Sequence, residues 1–122
     1  MPLSMGMRDE SNERRNNALK KLISLVFVPE GWNENTADAQ LEVLGLSLDK
    51  LKTIPAEDLN KQLLDGGLDW ANMEQFADFL AMLSAKPEYN VLKEKTKSLY
   101  SFIQAESKMF SFEIFNKVNA LK

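Results

Sequence analysis

The helical pattern is clearest in residues 69–83, which read DWANMEQFADFLAML. Apolar side chains recur here at three- and four-residue spacing, which places them on one face of an α-helix. These side chains are Met73, Phe76, Leu80 and Leu83, with Phe79 alongside. Asp69 is a favourable N-cap because its carboxylate accepts hydrogen bonds from the first turn of a helix. The stretch therefore predicts a helix that follows Asp69, continues to about residue 85 and buries a broad apolar face.

Toward the N-terminus, a second apolar stripe indicates another helix. It is formed by Leu19, Leu22, Ile23 and Val26. We expect this helix over about residues 10–27, ending before Pro29 because the residue that precedes a proline disfavours the α conformation. Residues 1–9 contain turn-forming residues and no helical period, so they predict a loose N-terminal leader.

Between these two segments, the sequence predicts a helix over about residues 36–44. Asn35 or Thr36 is its expected N-cap, since both side chains accept hydrogen bonds from a first helical turn. Gly45 then occupies the position at which helices commonly end in a left-handed conformation.

The next segment carries further start and stop signals. Residues 47–53 predict one or two helical turns, and a longer helix is expected over about residues 55–65. Pro55 suits its first position, and Gly66-Gly67 is expected to end it.

The last third of the chain allows two interpretations. A helix opened by Pro87 could continue to about residue 121, since its apolar stripe extends through Phe110, Ile114, Val118 and Leu121. However, Ser111 is a favourable N-cap, and one rod of roughly 50 Å would be longer than a domain of this size is wide. We therefore favour a break between Ser107 and Ser111.

Together these segments define the expected fold. No segment alternates apolar and polar residues in the manner of a β-strand. The chain has 122 residues, which is the size of one domain. We expect an all-α fold, a compact bundle of five to six helices joined by short loops, within a single domain over residues 1–122.

The composition argues against an enzyme. The chain contains no histidine and no cysteine, which removes the commonest general base, the commonest metal ligand and the thiolate nucleophile. Two acidic pairs have four-residue spacing, Asp38 with Glu42 and Glu74 with Asp78, and we expect both on solvated helix faces. No phosphate-binding glycine loop is present. The sequence thus predicts no catalytic residue, no cofactor and no metal site.

Charge is segregated along the chain. Residues 1–28 carry five basic and three acidic side chains, residues 29–85 carry three and eleven, and residues 86–122 carry seven and four. The basic ends are expected to neutralise the acidic middle within the fold. Alternatively, the separated charges orient a charged partner.

The longest strongly apolar run, residues 22–28, is too short to cross a bilayer. Pro29 follows this run where a secretory signal would have a small-residue cleavage site. We therefore expect a cytoplasmic protein that does not enter a membrane.

Aromatic residues are concentrated near the C-terminus, where five of the eleven lie within residues 100–115. On a helical wheel Phe112 lies nearly opposite Phe110, so one core does not easily cover both. Either this segment folds over the bundle, or part of it docks on another chain. Because aromatic residues and methionine are enriched in interface cores, the candidate partner-binding residues are Phe102, Met109, Phe112 and Phe115.

Trp32, in a predicted loop, is a further candidate anchor for a partner. The alternative is that its ring plugs one end of the bundle.

These features favour a non-enzymatic domain for protein–protein interaction, with another protein or a second copy of the chain as partner. The alternative is association with nucleic acid through the basic terminal helices. Lys93, Lys95 and Lys97 would supply positive charge there, and Tyr89 and Tyr100 aromatic rings. A small-ligand pocket lined by Met and Phe is a third possibility, for which no polar group can be nominated.

Overall fold

A computed structural model describes the backbone of residues 2–107 and 112–121, and their side chains from residue 13 onward except that of Pro29. This part of the chain contains seven α-helices, two single-turn 3₁₀-helices and no strand. The α-helices are α1 (Pro2–Phe27), α2 (Glu34–Val43), α3 (Leu48–Thr53), α4 (Ala56–Asp65), α5 (Trp70–Leu83), α6 (Leu92–Ser107) and α7 (Phe112–Ala120). The 3₁₀-helices are Pro29–Gly31 and Pro87–Tyr89. The all-α class is confirmed, but the predicted number of five to six helices is too low.

The additional helix is α3, whose six residues agree with the one or two turns expected over residues 47–53. Ser47 caps it, since its Oγ accepts a hydrogen bond from the Lys50 N–H at 3.1 Å. Leu48 and Leu51 are buried, so this short helix contributes to the core. A local cap combined with two buried leucines is sufficient to stabilise a helix that propensity alone would leave marginal.

Several helix ends differ from the prediction. Asn33, two residues earlier than expected, caps α2 through a hydrogen bond from the Thr36 N–H to its Oδ1 at 3.0 Å. Pro55 is the N-cap of α4 and not its first helical residue. Pro87 opens a 3₁₀-helix, and α6 begins only at Leu92.

At the N-terminus, α1 begins at Pro2, eight residues before the predicted start, and ends at Phe27 as expected. The side chains of residues 1–12 lie outside the described part of the chain. The backbone of residues 2–9 is helical although no helical period was found there, and the looseness of this leader stays a prediction.

α5 lies at the centre of the fold, packed between α1 and α6. Its five predicted core residues are all fully buried, namely Met73, Phe76, Phe79, Leu80 and Leu83. Asp69 caps this helix as predicted, because its Oδ1 accepts a hydrogen bond from the Asn72 N–H at 2.7 Å. α2 packs on α1, and α4 packs on α6, so the remaining helices enclose this three-helix centre.

Two glycine turns connect the helices of the acidic middle. Gly45 ends α2 with φ of 77°, and Gly67 follows α4 with φ of 91°. In both turns the next residue is a buried leucine, Leu46 or Leu68, whose N–H bonds back to the preceding helix. This is the hydrophobic C-cap arrangement that glycine at the left-handed position permits.

Replacing Gly45 with alanine is expected to destabilise the fold by about 1 kcal/mol, because a Cβ disfavours positive φ. Gly31→Ala is the matched control, since its added Cβ would meet only ordinary contacts at 3.7 Å or more. Urea unfolding of both variants measures the difference. Equal losses of stability would show that the left-handed turn is not the cause.

The C-terminal helices α6 and α7 pack against each other. The Lys117 Nζ lies 5.9 Å from the centre of the Tyr100 ring. In one continuous helix these residues would be separated by roughly 25 Å along the axis. The chain therefore reverses between α6 and α7. Ser111, the predicted N-cap at the break, lies outside the described residues.

Candidate functional site

The outer face of α7 consists of Phe112, Phe115, Asn116 and Asn119, which lie on one side of the helix at three- and four-residue spacing. All four are exposed, and the side chains of Phe112 and Phe115 are 75% and 48% accessible. Among the described residues of α7, none on this face is charged, and Glu113 lies beside it. Two exposed phenylalanines close together on one uncharged face make it a candidate interaction surface.

The opposite side of α7 attaches the helix to the bundle. Ile114 and Leu121 are buried, and Val118 packs against the core. Beside them, the Lys117 ammonium lies 2.8 Å from a Glu74 oxygen and 3.1 Å from an Asp78 oxygen, both on α5. The outward position of Phe112 is therefore fixed by apolar contacts and ion pairs on the inward side.

Asp78 also accepts a hydrogen bond from the Tyr100 hydroxyl at 2.5 Å. Burial, together with the hydrogen bond to Asp78, raises the pKa of Tyr100 above its ordinary value. Burial alone would lower the pKa of Lys117, but its hydrogen bonds to Glu74 and Asp78 outweigh this effect and raise the pKa. At neutral pH Lys117 is therefore charged and Tyr100 is protonated, so both can donate hydrogen bonds to the carboxylates of α5.

The pair Glu74 and Asp78 was expected on a solvated face, and this is wrong. Both side chains are about two-thirds buried and bind Lys117. Asp38 is also not simply solvated, because its Oδ1 accepts a hydrogen bond from the Leu48 N–H at 2.8 Å. The four-residue spacing was visible in the sequence, but the partners of these carboxylates lie on other helices.

A polar cleft of about 500 Å³ runs between α1, α5 and α7, lined among others by Asn16, Asp69, Glu113 and Lys117. Among the residues that the structure describes, no group of three or more carboxylates is arranged to hold a metal ion. None of the described helices combines the length and apolarity needed to cross a membrane.

The other predicted partner-binding residues occupy different surroundings. Phe102 is half-buried, and its ring centre lies 6.3 Å from that of Trp70 at the start of α5. It thus belongs to the edge of the core, with part of its ring accessible. Met109 lies outside the described residues.

Trp32 is half-buried and packs edge-to-face on Tyr89, with ring centres 5.9 Å apart. The Lys86 ammonium lies 5.5 Å from the centre of the Trp32 ring. Both contacts place Trp32 beyond the C-terminal end of α5, whereas Glu113 of α7 shares a cleft with Asp69 at the N-terminal end. The structure therefore does not bring Trp32 together with the phenylalanines of α7.

Two of the three lysines considered for nucleic-acid binding, Lys95 and Lys97, have partners within the chain. The Lys95 Nζ donates to the Leu51 carbonyl at 2.6 Å, and its burial lowers its pKa. Lys97 pairs with Glu94 at 3.7 Å. Both tyrosine rings proposed to stack on bases, those of Tyr89 and Tyr100, are buried. Neither of these two rings therefore offers an exposed surface on which a base could stack.

The chain matches no known family model, no curated protein and no solved structure.

Proposed function

We propose that this protein is a non-enzymatic helical domain that associates with a second copy of itself through the outer face of α7. The observation that supports this most is the exposure of Phe112 and Phe115 on a helix that is held in place from its other side. Exposed aromatic residues of this size are costly in water and mark interaction surfaces.

The chemistry of the face favours a second copy over a charged partner. A two-fold axis joins the same surface of both copies, so a residue at the axis meets its own counterpart and a charge there would oppose itself. The four described residues of the outer face are uncharged. Asn116 and Asn119 each offer both an amide donor and a carbonyl acceptor, which makes them complementary to their own counterparts.

The size of the face limits the affinity. α7 contains nine residues and is therefore about 13 Å long. Two such helices bury less than the roughly 1,200 Å² at which stable interfaces begin. The proposed dimer therefore forms in the micromolar range and includes surface beside α7.

Phe112→Glu is expected to weaken the dimer about 30-fold or more, because both copies then bring a charge into an apolar contact. The helical content should remain unchanged, since this side chain is 75% exposed. Sedimentation velocity across the micromolar range, read beside circular dichroism, measures both quantities.

Phe27→Glu is the matched control, because Phe27 is 74% exposed but lies at the end of α1. We expect it to leave the dimer intact. A wild-type protein that is monomeric at high concentration would contradict the proposal, as would an equal effect of both substitutions.

A further inference from the structure

A second cleft, of about 450 Å³, lies beyond the C-terminal end of α5, beside Trp32. It is lined by Trp32, Asn33, Glu34, Asn35 and Glu88. Its volume is within the range of small-molecule and side-chain binding sites. An indole ring and two carboxylates therefore face the same open space.

The Trp32 ring is held in a fixed orientation. It packs edge-to-face on Tyr89, whose ring is buried. The Tyr89 hydroxyl in turn donates a hydrogen bond to the Glu34 carboxylate. One carboxylate of the cleft thus supports the aromatic wall, and this pre-organisation lowers the entropic cost of binding a ligand.

The chain itself indicates which kind of group this site attracts. The Lys86 ammonium lies 5.5 Å from the centre of the Trp32 ring, within the distance of a cation–π interaction. At the neighbouring ring, the Lys52 ammonium lies 4.6 Å from the centre of the Tyr89 ring. The aromatic pair therefore already attracts organic cations from the same chain.

We propose that the cleft beside Trp32 binds the guanidinium group of an arginine side chain from another protein. A guanidinium is planar and weakly hydrated, so it stacks on an indole ring more readily than an ammonium does. Its N–H groups fan out in the ring plane and reach two carboxylates at once, here Glu34 and Glu88. In this arrangement the incoming guanidinium displaces Lys86 from the Trp32 ring.

The test is an NMR titration that follows the Trp32 indole N–H, identified by its loss in Trp32→Phe. The probes are N-acetyl-arginine amide and N-acetyl-citrulline amide, which have nearly the same shape but differ in charge. We expect the arginine probe to bind at least roughly tenfold more tightly than the citrulline probe. This is the effect expected of a partly desolvated cation–π contact together with ion pairs. Equal binding of both probes would overturn the proposal.

Three variants locate the site. Glu88→Gln should weaken binding of the arginine probe several-fold, whereas Lys86→Met should strengthen it because the internal competitor is removed. Lys52→Met is the matched control, since Lys52 contacts Tyr89 and does not line the cleft. An unchanged affinity in Glu88→Gln and Lys86→Met would overturn the assignment.

Methylguanidinium distinguishes an arginine side chain from a free guanidinium compound. We expect it to bind more weakly than N-acetyl-arginine amide, because it lacks the chain that packs along the cleft. Binding of equal strength would overturn the assignment to a protein arginine.

Discussion

Replacing Phe76 with alanine is expected to reduce the free energy of unfolding by about 3–5 kcal/mol. Phe76 is fully buried in α5, and its ring centre lies 5.9 Å from that of Phe79. The substitution removes the ring from a helix that packs against both α1 and α6, so neither neighbour can close the cavity alone. A domain of this size has a total stability of about 5–15 kcal/mol, so the loss is a large part of it.

Phe27→Ala is the control for this prediction, since it removes the same ring from a position that is 74% exposed. Its expected effect is within about 0.5 kcal/mol. Urea unfolding gives both values. The comparison holds when the free energy of unfolding falls equally steeply with urea concentration in the wild type and both variants. A comparable loss in the two variants would mean that α5 is not the centre of the core.

The second large effect is expected at alkaline pH. The chain has two tyrosines, Tyr89 and Tyr100, and both are buried. Burial, with hydrogen bonds to Glu34 and Asp78 respectively, raises the pKa of each above the ordinary value of 10.0. Above that pH the unfolded chain loses these protons while the folded chain keeps them, so stability present below pH 10 is lost as the pH rises.

The expected loss is about 1.4 kcal/mol per pH unit for each tyrosine. The raised pKa of Lys117 acts in the same direction above its ordinary 10.5. The lowered pKa of Lys95 has the opposite effect, which is confined to pH values below 10.5. Tyrosinate absorbance should therefore appear only in step with the loss of helical circular dichroism. Tyr100→Phe should reduce the slope of stability with pH, measured by urea unfolding.

A gradual titration near pH 10 in protein that is still helical would contradict this prediction. It would show that at least one of the two rings is open to solvent.

Local signals in the sequence predicted much of the fold. Asp69 as a cap, Gly45 as a left-handed turn and the apolar stripe of α5 each depend on residues within one or two turns of each other. Such signals are strong because the backbone groups at helix ends must be satisfied nearby. At the start of α2 the prediction named Asn35 or Thr36, whereas Asn33 is the cap. All three side chains can accept the same hydrogen bond, so local sequence does not separate them.

The contacts that support the outer face of α7 and the cleft beside Trp32 could not be predicted from such local signals. Lys117 meets Glu74 across 43 positions of sequence, and the Tyr89 hydroxyl meets Glu34 across 55. Helical periodicity indicates which side of each helix is apolar, but not which helix packs on it. For this reason Phe112 could be predicted to face away from the core, whereas the separation of Trp32 from α7 could not.

The packing of α1 on α5 has a consequence for the order of folding. Most packed helix pairs follow each other closely in the chain, as α1 with α2, α5 with α6 and α6 with α7 do. Such local pairs form quickly. The α1–α5 contact instead closes the loop over residues 28–69, and its entropic cost grows only slowly with loop length. The contact of α4 with α6 also skips one helix, but it spans a shorter loop. Among these packed pairs, the docking of α1 on α5 is therefore the contact of longest range.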